Sequence, residues 1–204
     1  MFSSGHTTLP AITPHDKLFT VDLAEVAQNL QSFPWVESVR VRREFPGTIQ
    51  IQVTEREPYL YLALGDTIYI ADKAGHVFKK KEEDENYNLP VITGFTNTQV
   101  GEYPEMARKN LKDVIAFYQQ IGTGEFYQNA GLSQIHFDPA DGMTVFTAHH
   151  DLEIFYGRDD TSEKQKMLDQ IADQSQKWAG AFARLDLNSQ NRIIARKKHY
   201  EQKK

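Results

Sequence analysis

The chain has 204 residues, 40% of them hydrophobic, no cysteine and a formal net charge of −5. The missing cysteines exclude disulfides, thiolate zinc sites and cysteine nucleophiles, and the acidic balance argues against nucleic acid, which asks for a concentrated basic face. No run approaches the about 20 apolar residues of a membrane span, and residues 1–17 lack the basic and apolar regions of a signal peptide.

Residues 1–15 are rich in Ser, Thr, Gly and Pro and read as loop, with a ragged strand around 2–4. The first firm element begins at Asp22, which pairs with Glu25 as a capping box. Leu23, Val26, Ala27, Leu30 and Phe33 then share one helical stripe, and Pro34 ends it. Trp35 and Val36 are expected to plug the core where helix meets sheet. A hairpin follows. Val39 and Val41 alternate with Arg40 and Arg42, and Ile49, Ile51 and Val53 with Gln50, Gln52 and Thr54. That period of two predicts one buried and one wet face, joined by a tight Pro46-Gly47 turn with Gly47 at positive φ. The wet face, carrying Arg40, Arg42, Gln50 and Gln52, reads as a secondary surface for gripping other proteins. Residues 56–58 form a joint that closes a first domain at 57.

Beyond the joint the pattern becomes strand after strand: 59–64, 67–71 and 76–79, with turns at Gly65-Asp66 and 72–75. Residues 79–88 read as a solvated loop, and 89–92 as a short strand stopped by Gly94. A helix is expected over 105–121, with Met106, the aliphatic stem of Lys109, Leu111, Val114, Ile115, Tyr118 and Ile121 on one broad face. Three strands (132–137, 143–148, 152–156) precede a second long helix over 162–178, with Met167, Leu168, Ile171 and Trp178 inward. A closing hairpin (182–187 and 192–196) turns through 188–191, and 200–204 is expected to be a disordered tail. Strands segregate from helices, so the class is α+β: a helix-plus-hairpin unit over 1–57, then a larger mixed β unit over 58–199 with two long helices.

Catalytic chemistry is hard to place on this pattern. His149 and His150 are adjacent, so in a strand their rings point to opposite faces. With His136 they suggest a metal hydrolase only weakly, and no HExxH supports it. Asp138 and Asp141 fit a β-turn, and Asp159-Asp160 favours the helix start that follows. There is no GxSxG, GxGxxG or Walker pattern. Tyr59, Tyr61, Tyr69 and Tyr87 lack the basic neighbours of an RNA-binding sheet and read as aromatic packing between strands. The chain is read as a non-enzyme with no cofactor and no metal.

The order of these motifs resembles the FtsQ/DivIB family of bacterial cell-division proteins. The resemblance runs through LFTVDL (18–23), FPWVESVRVRREFPGTIQIQVTEREP (33–58), LPVITG (89–94), LSQIHF (132–137), LEIFYGR (152–158), the helix entry at Glu163-Lys164, and ARLDL (183–187) leading to RIIAR (192–196). It implies a POTRA domain followed by a β-domain, both outside the cytoplasmic membrane and anchored in the inner membrane by a single upstream helix. It also implies a non-enzymatic divisome role at the septum, with FtsB and FtsL as partners and FtsB adding a strand to the last strand of the β-domain. The positions that inherit this role are Asp186, Asn188, Ser189, Arg192, Ile193, Ile194, Ala195 and Arg196. An exposed edge strand suits such addition, and Arg192 and Arg196, on one face, suit acidic partner residues. The charges also fit a simpler role as guards of the edge.

Three departures stand out. The family's DLR reads Asp186-Leu187-Asn188, the segment before Leu18 is short for a first POTRA strand and helix, and the membrane helix is missing. The chain therefore reads as a truncated reading frame or an extracytoplasmic fragment. The alternative function is a POTRA chaperone module of outer-membrane protein assembly or secretion, which predicts tandem POTRA units or a barrel.

Overall fold

The computed structural model describes residues 21–149, 151–158, 161–174, 181–189 and 192–198. The chain divides into two compact units, Met1–Glu57 and Pro58–Lys204. The expected strand near 2–4 and tail 200–204 lie outside the described residues.

In the first unit, helix α1 (Leu23–Gln31) starts where Asp22 accepts from the amides of Ala24 (2.8 Å) and Glu25 (3.3 Å). Val26 and Leu30 are its buried residues. Strands β1 (Val36–Glu44) and β2 (Thr48–Glu55) pair antiparallel, with Val39 opposite Val53 and Val41 opposite Ile51. The expected alternation thus sets the register, but it does not produce a fully buried face. Helix α1 lies against β1, while Ile51 and Val53 keep 37% and 43% of their surface. Trp35 and Val36 are only half-buried, so they edge the core rather than plug it. The turn also differs from expectation: the Phe45–Pro46 peptide is cis, and Gly47 is not among the positive-φ glycines.

The second unit is built on one sheet. Strands β3 (Leu60–Leu64), β4 (Thr67–Ala71) and β5 (Val77–Lys80) form an antiparallel meander. Then come β6 (Val91–Phe95), helices α2 (Asn97–Glu102), α3 (Pro104–Ile121) and α4 (Glu125–Ala130), and strands β7 (Leu132–Asp138), β8 (Gly142–Thr147) and β9 (Glu153–Gly157). Helix α5 (Thr161–Asp169) and a 3₁₀ turn (Ala172–Gln174) lead to β10 (Phe182–Ser189) and β11 (Arg192–Lys197). The nine strands lie in the order β11-β10-β9-β8-β7-β6-β3-β4-β5. The pairs β3/β6, β6/β7 and β9/β10 are parallel, which requires crossovers. Helices α2–α4 make the one from β6 to β7, and α5 lies in that from β9 to β10.

This α+β architecture matches the class read from the sequence, with differences in its helices. The second long helix is shorter than expected, ending at Asp169, and Trp178 lies outside the described residues. Helices α2 and α4 were not anticipated. Thr96 and Gln99 form a capping box at the start of α2, a T-x-x-Q signature visible in the sequence.

One face of the sheet carries the core. Leu60, Leu62, Ile92, Ile135, Val145, Ile154 and Leu185 meet Leu111, Val114, Ile115 and Ile121 of α3, Phe126 of α4 and Leu168 of α5. The other face alternates half-buried polar and aromatic residues such as His136, Thr144, Phe146 and Phe155. Gly94 does not stop β6, contrary to expectation. It sits inside the strand at φ +96°, within a register shift against β3, where a Cβ would lie 1.8 Å from the Phe137 carbonyl oxygen. The glycine permits a bulge and a close backbone approach.

Two polar features tie this unit together. Residues 79–88 are more than a solvated loop: Tyr61 Oη donates to the Glu85 carbonyl (3.1 Å) and accepts from the Tyr87 amide (2.8 Å). Beneath the helices, Tyr127 Oη donates to Tyr156 Oη (3.0 Å), which donates to Gln165 Oε1 (2.7 Å). Gln165 Nε2 then donates to Asp169 Oδ1 (2.9 Å), which also takes the Phe126 amide (3.0 Å). Burial pushes both tyrosine pKa values far up, so the hydroxyls stay neutral and available as donors. Tyr156→Phe would remove the central hydroxyl and strand its neighbours. The expected loss is about 1–3 kcal/mol, read as a lower urea midpoint with an unchanged m value.

Candidate functional site

The last strand, β11, ends the nine-stranded sheet, and among the described residues no strand pairs with its outer side. Its inner side pairs antiparallel with β10, with Leu185 opposite Ala195, Asp186 opposite Ile194 and Ser189 opposite Arg192. Register shifts fall between Phe182 and Arg184 and between Asp186 and Ser189, and in both the extra residue belongs to β10. Strand β11 is therefore unbroken and keeps a strict alternation. Arg192, Ile194 and Arg196 stand exposed on one face, while Ile193 and Ala195 are half-buried and pack against the core.

The same alternation settles which amides point outward. Lys198 donates its backbone N–H to the Ala181 carbonyl (3.2 Å), so amides of its parity on β11 turn toward β10. Those of Ile193, Ala195 and Lys197 turn away from the sheet. Among the described residues no strand faces this row of main-chain donors along a regular edge, the feature that invites another strand. Beneath it, β10 is well anchored, because Leu185 is fully buried and Leu187 is 1% exposed. The edge is a ready surface on a firm base.

The charges near this edge are unevenly matched. Arg184 of β10 is paired with Glu153 of β9 at 2.8 Å and lies 5.0 Å over the Phe155 ring. Arg196 stands opposite this neutralised arginine. Among the described residues, neither Arg192 nor Arg196 has a carboxylate within 4.0 Å. Asp186 spends one oxygen on the Asn188 amide (2.8 Å), while the Asn188 side chain is exposed. Gly157 at the end of β9 lies beside it, since a Cβ there would meet Asn188 Oδ1 at 2.6 Å. The sequence-derived residues Asp186, Asn188, Ser189, Arg192, Ile193, Ile194, Ala195 and Arg196 thus fall on one ribbon.

The opposite edge differs. Strand β5 is four residues long, and the segment after it folds back. Lys79 Nζ lies 2.7 Å from Glu85 and 3.0 Å from Glu82. Burial pushes the Glu85 pKa up, but the Lys79 hydrogen bond, the Glu82 amide and the charges of Lys79 and Lys81 together hold it below the usual range. This edge has its lysine matched internally.

In the first unit, Arg40 stands opposite Gln52 and Arg42 opposite Gln50, and all four are exposed. Arg42 bonds Gln50 Oε1 and pairs with Glu44 at 3.2 Å. The expected polar face exists, although Arg42 is already engaged.

Among the described residues no group of three His, Asp or Glu is placed to hold a metal. His136 Nδ1 lies 2.9 Å from Thr93 Oγ1, and His150, Asp159 and Asp160 lie outside the described residues. Asp138 accepts from the Ala140 (2.7 Å) and Asp141 (2.9 Å) amides, and those bonds hold its carboxyl below the usual range. The tyrosines pack more variously than expected: Tyr59 meets Tyr118 of α3 (5.3 Å) and Tyr61 meets Tyr87 (6.5 Å). An open groove of about 910 Å³ between α3 and the β7–β8 turn has an apolar floor of Phe117, Phe137 and Met143. Sequence reading did not anticipate it, because its walls come from distant segments.

Comparison with known proteins gives a consistent answer. Residues 10–56 match the family model for the POTRA domain, FtsQ-type, and residues 61–188 match that for Cell division protein FtsQ/DivIB, C-terminal. The chain is 33% identical over 190 residues to Cell division protein FtsQ of Geobacter sp. (strain M21), covering 93% of this chain and 69% of that protein. It is 29% identical to the protein of the same name from Geotalea daltonii, covering 93% and 68%. The Anaeromyxobacter sp. (strain K) relative is 31% identical, covering 80% and 55%. An FtsQ-type POTRA unit ahead of a sheet unit with the FtsQ/DivIB pattern places this chain in the FtsQ/DivIB family of cell-division proteins.

Proposed function

We propose that the chain is a non-enzymatic divisome scaffold whose β11 edge receives a strand from an FtsB- or FtsL-type partner. The observation that carries this reading is the unbroken edge: outward amides at Ile193, Ala195 and Lys197, on a ribbon whose inner side is locked into the core. Main-chain pairing supplies affinity there, and the alternating side chains supply selectivity. Residues 1–57 act as the POTRA domain and 58–199 as the β-domain. Arg40, Arg42, Gln50 and Gln52 form a second contact surface for other membrane proteins of the divisome. Family membership supports an extracytoplasmic placement at the septum, held by a single helix in the cytoplasmic membrane. Among the described residues no helix is long and apolar enough to cross a membrane, so the anchor in this reading lies upstream of them.

Amide hydrogen exchange on the whole chain with an FtsB-type partner tests the reading. Ile193, Ala195 and Lys197 should gain strong protection on binding, while the amides of Arg192, Ile194 and Arg196, already turned toward β10, change little. Protection confined to another part of the sheet would refute the edge mechanism.

A further inference from the structure

We infer that β11 selects its partner strand by a symmetrical chemical pattern: an acidic residue, three apolar residues, and a second acidic residue. The inference rests on the strand-addition reading and adds to it the chemistry of the occupant. A strand laid beside β11 must follow the same period of two, so its side chains divide between the two faces of the sheet. On the outer face they meet Arg192, Ile194 and Arg196, all exposed, with Ile194 at 53%. On the inner face they meet Ile193 and Ala195, which pack against the core cluster.

Each position then has a requirement. The residues beside Arg192 and Arg196 gain most from a carboxylate, because neither arginine has an acidic partner among the described residues and Arg184 opposite Arg196 is already spent on Glu153. The residue between them covers Ile194, whose exposed surface favours an apolar neighbour. The two inner residues extend the layer of Ile193 and Ala195, where a charge would lose its hydration without finding a partner. The pattern reads the same in both directions, so it holds for parallel or antiparallel addition. It also explains why an exposed Asn188 is tolerated at the end of β10: the basic contacts of this ribbon stand on β11 itself. The rival role for the arginines, as guards that merely keep strands away, predicts no selectivity.

Selection of a displayed library of seven-residue peptides on the immobilised whole chain tests the inference. Capture that disappears with Ala195→Pro identifies peptides held by the outward edge. Among these, acidic residues four apart around an apolar centre should be enriched. Exchanging Arg192 and Arg196 together for Glu should weaken a selected peptide by about tenfold or more and restore binding to its Lys-substituted version. Edge-bound peptides with no acidic preference, or a Lys version that gains nothing, would overturn the pattern while leaving strand addition intact. A selection in which no captured peptide is lost with Ala195→Pro would overturn both.

Discussion

Ala195→Pro is expected to abolish partner binding while leaving the second unit folded. The Ala195 amide turns away from β10, so proline removes an outward donor at the middle of the edge without touching the ladder that holds β11 in place. Its ring also projects into the space an added backbone would occupy. One lost main-chain bond, with the opposing carbonyl left unpaired, costs about 1–3 kcal/mol, roughly a fivefold to 150-fold loss of affinity. The ring clash adds to that. Ile194→Pro is the informative contrast: the Ile194 amide is of the parity that faces β10, so that change should destabilise the ribbon itself. Binding measured by surface capture, paired with urea unfolding of each variant, separates the two outcomes. Full affinity in the Ala195→Pro chain would remove the edge from the mechanism.

Gly94→Ala should be among the most damaging single methyls at the described glycines of the second unit. A Cβ at Gly94 falls 1.8 Å from the Phe137 carbonyl oxygen, and the backbone there holds φ +96°. Neither partner can give way cheaply, because the obstructing atom is main chain in β7, the strand that pairs parallel with β6. Relief requires separating β6 from β7 near Thr93 and His136, in the centre of the sheet. A loss of about 4 kcal/mol or more is expected, at the severe end of single substitutions and a large share of a typical domain's stability. Gly47→Ala is the control: nothing lies within 4 Å of its Cβ, and its φ is not positive. That variant should stay within about 0.5 kcal/mol of the parent. Equal midpoints for Gly94→Ala and the parent in urea unfolding would contradict the close packing of β6 on β7.

Closeness along the chain explains which parts of the fold were legible. Asp22 caps a helix through amides two and three residues ahead, and Val39, Val41, Ile51 and Val53 take their register from alternation and a short turn. These are local relations, set by bond geometry and by side chains a few positions apart. The closing ribbon was legible for the same reason, since its apolar and basic residues alternate across one turn. The T-x-x-Q cap of α2 belongs to this class and was readable. Helix α4 offered only a glycine N-cap with no side-chain bond, a weak local mark.

Sequence alone therefore determined the α+β class, most of the strands, the alternation of the last one and the family. Tertiary structure decided which strand ends the sheet, which amides of that strand face outward, and that Arg192 and Arg196 stand without acidic neighbours among the described residues. It also turned Gly94 from a strand stop into a point of close approach. The physical reason is separation along the chain. A strand's own period is written in adjacent residues, but its neighbours are chosen by burial and backbone pairing among segments far apart.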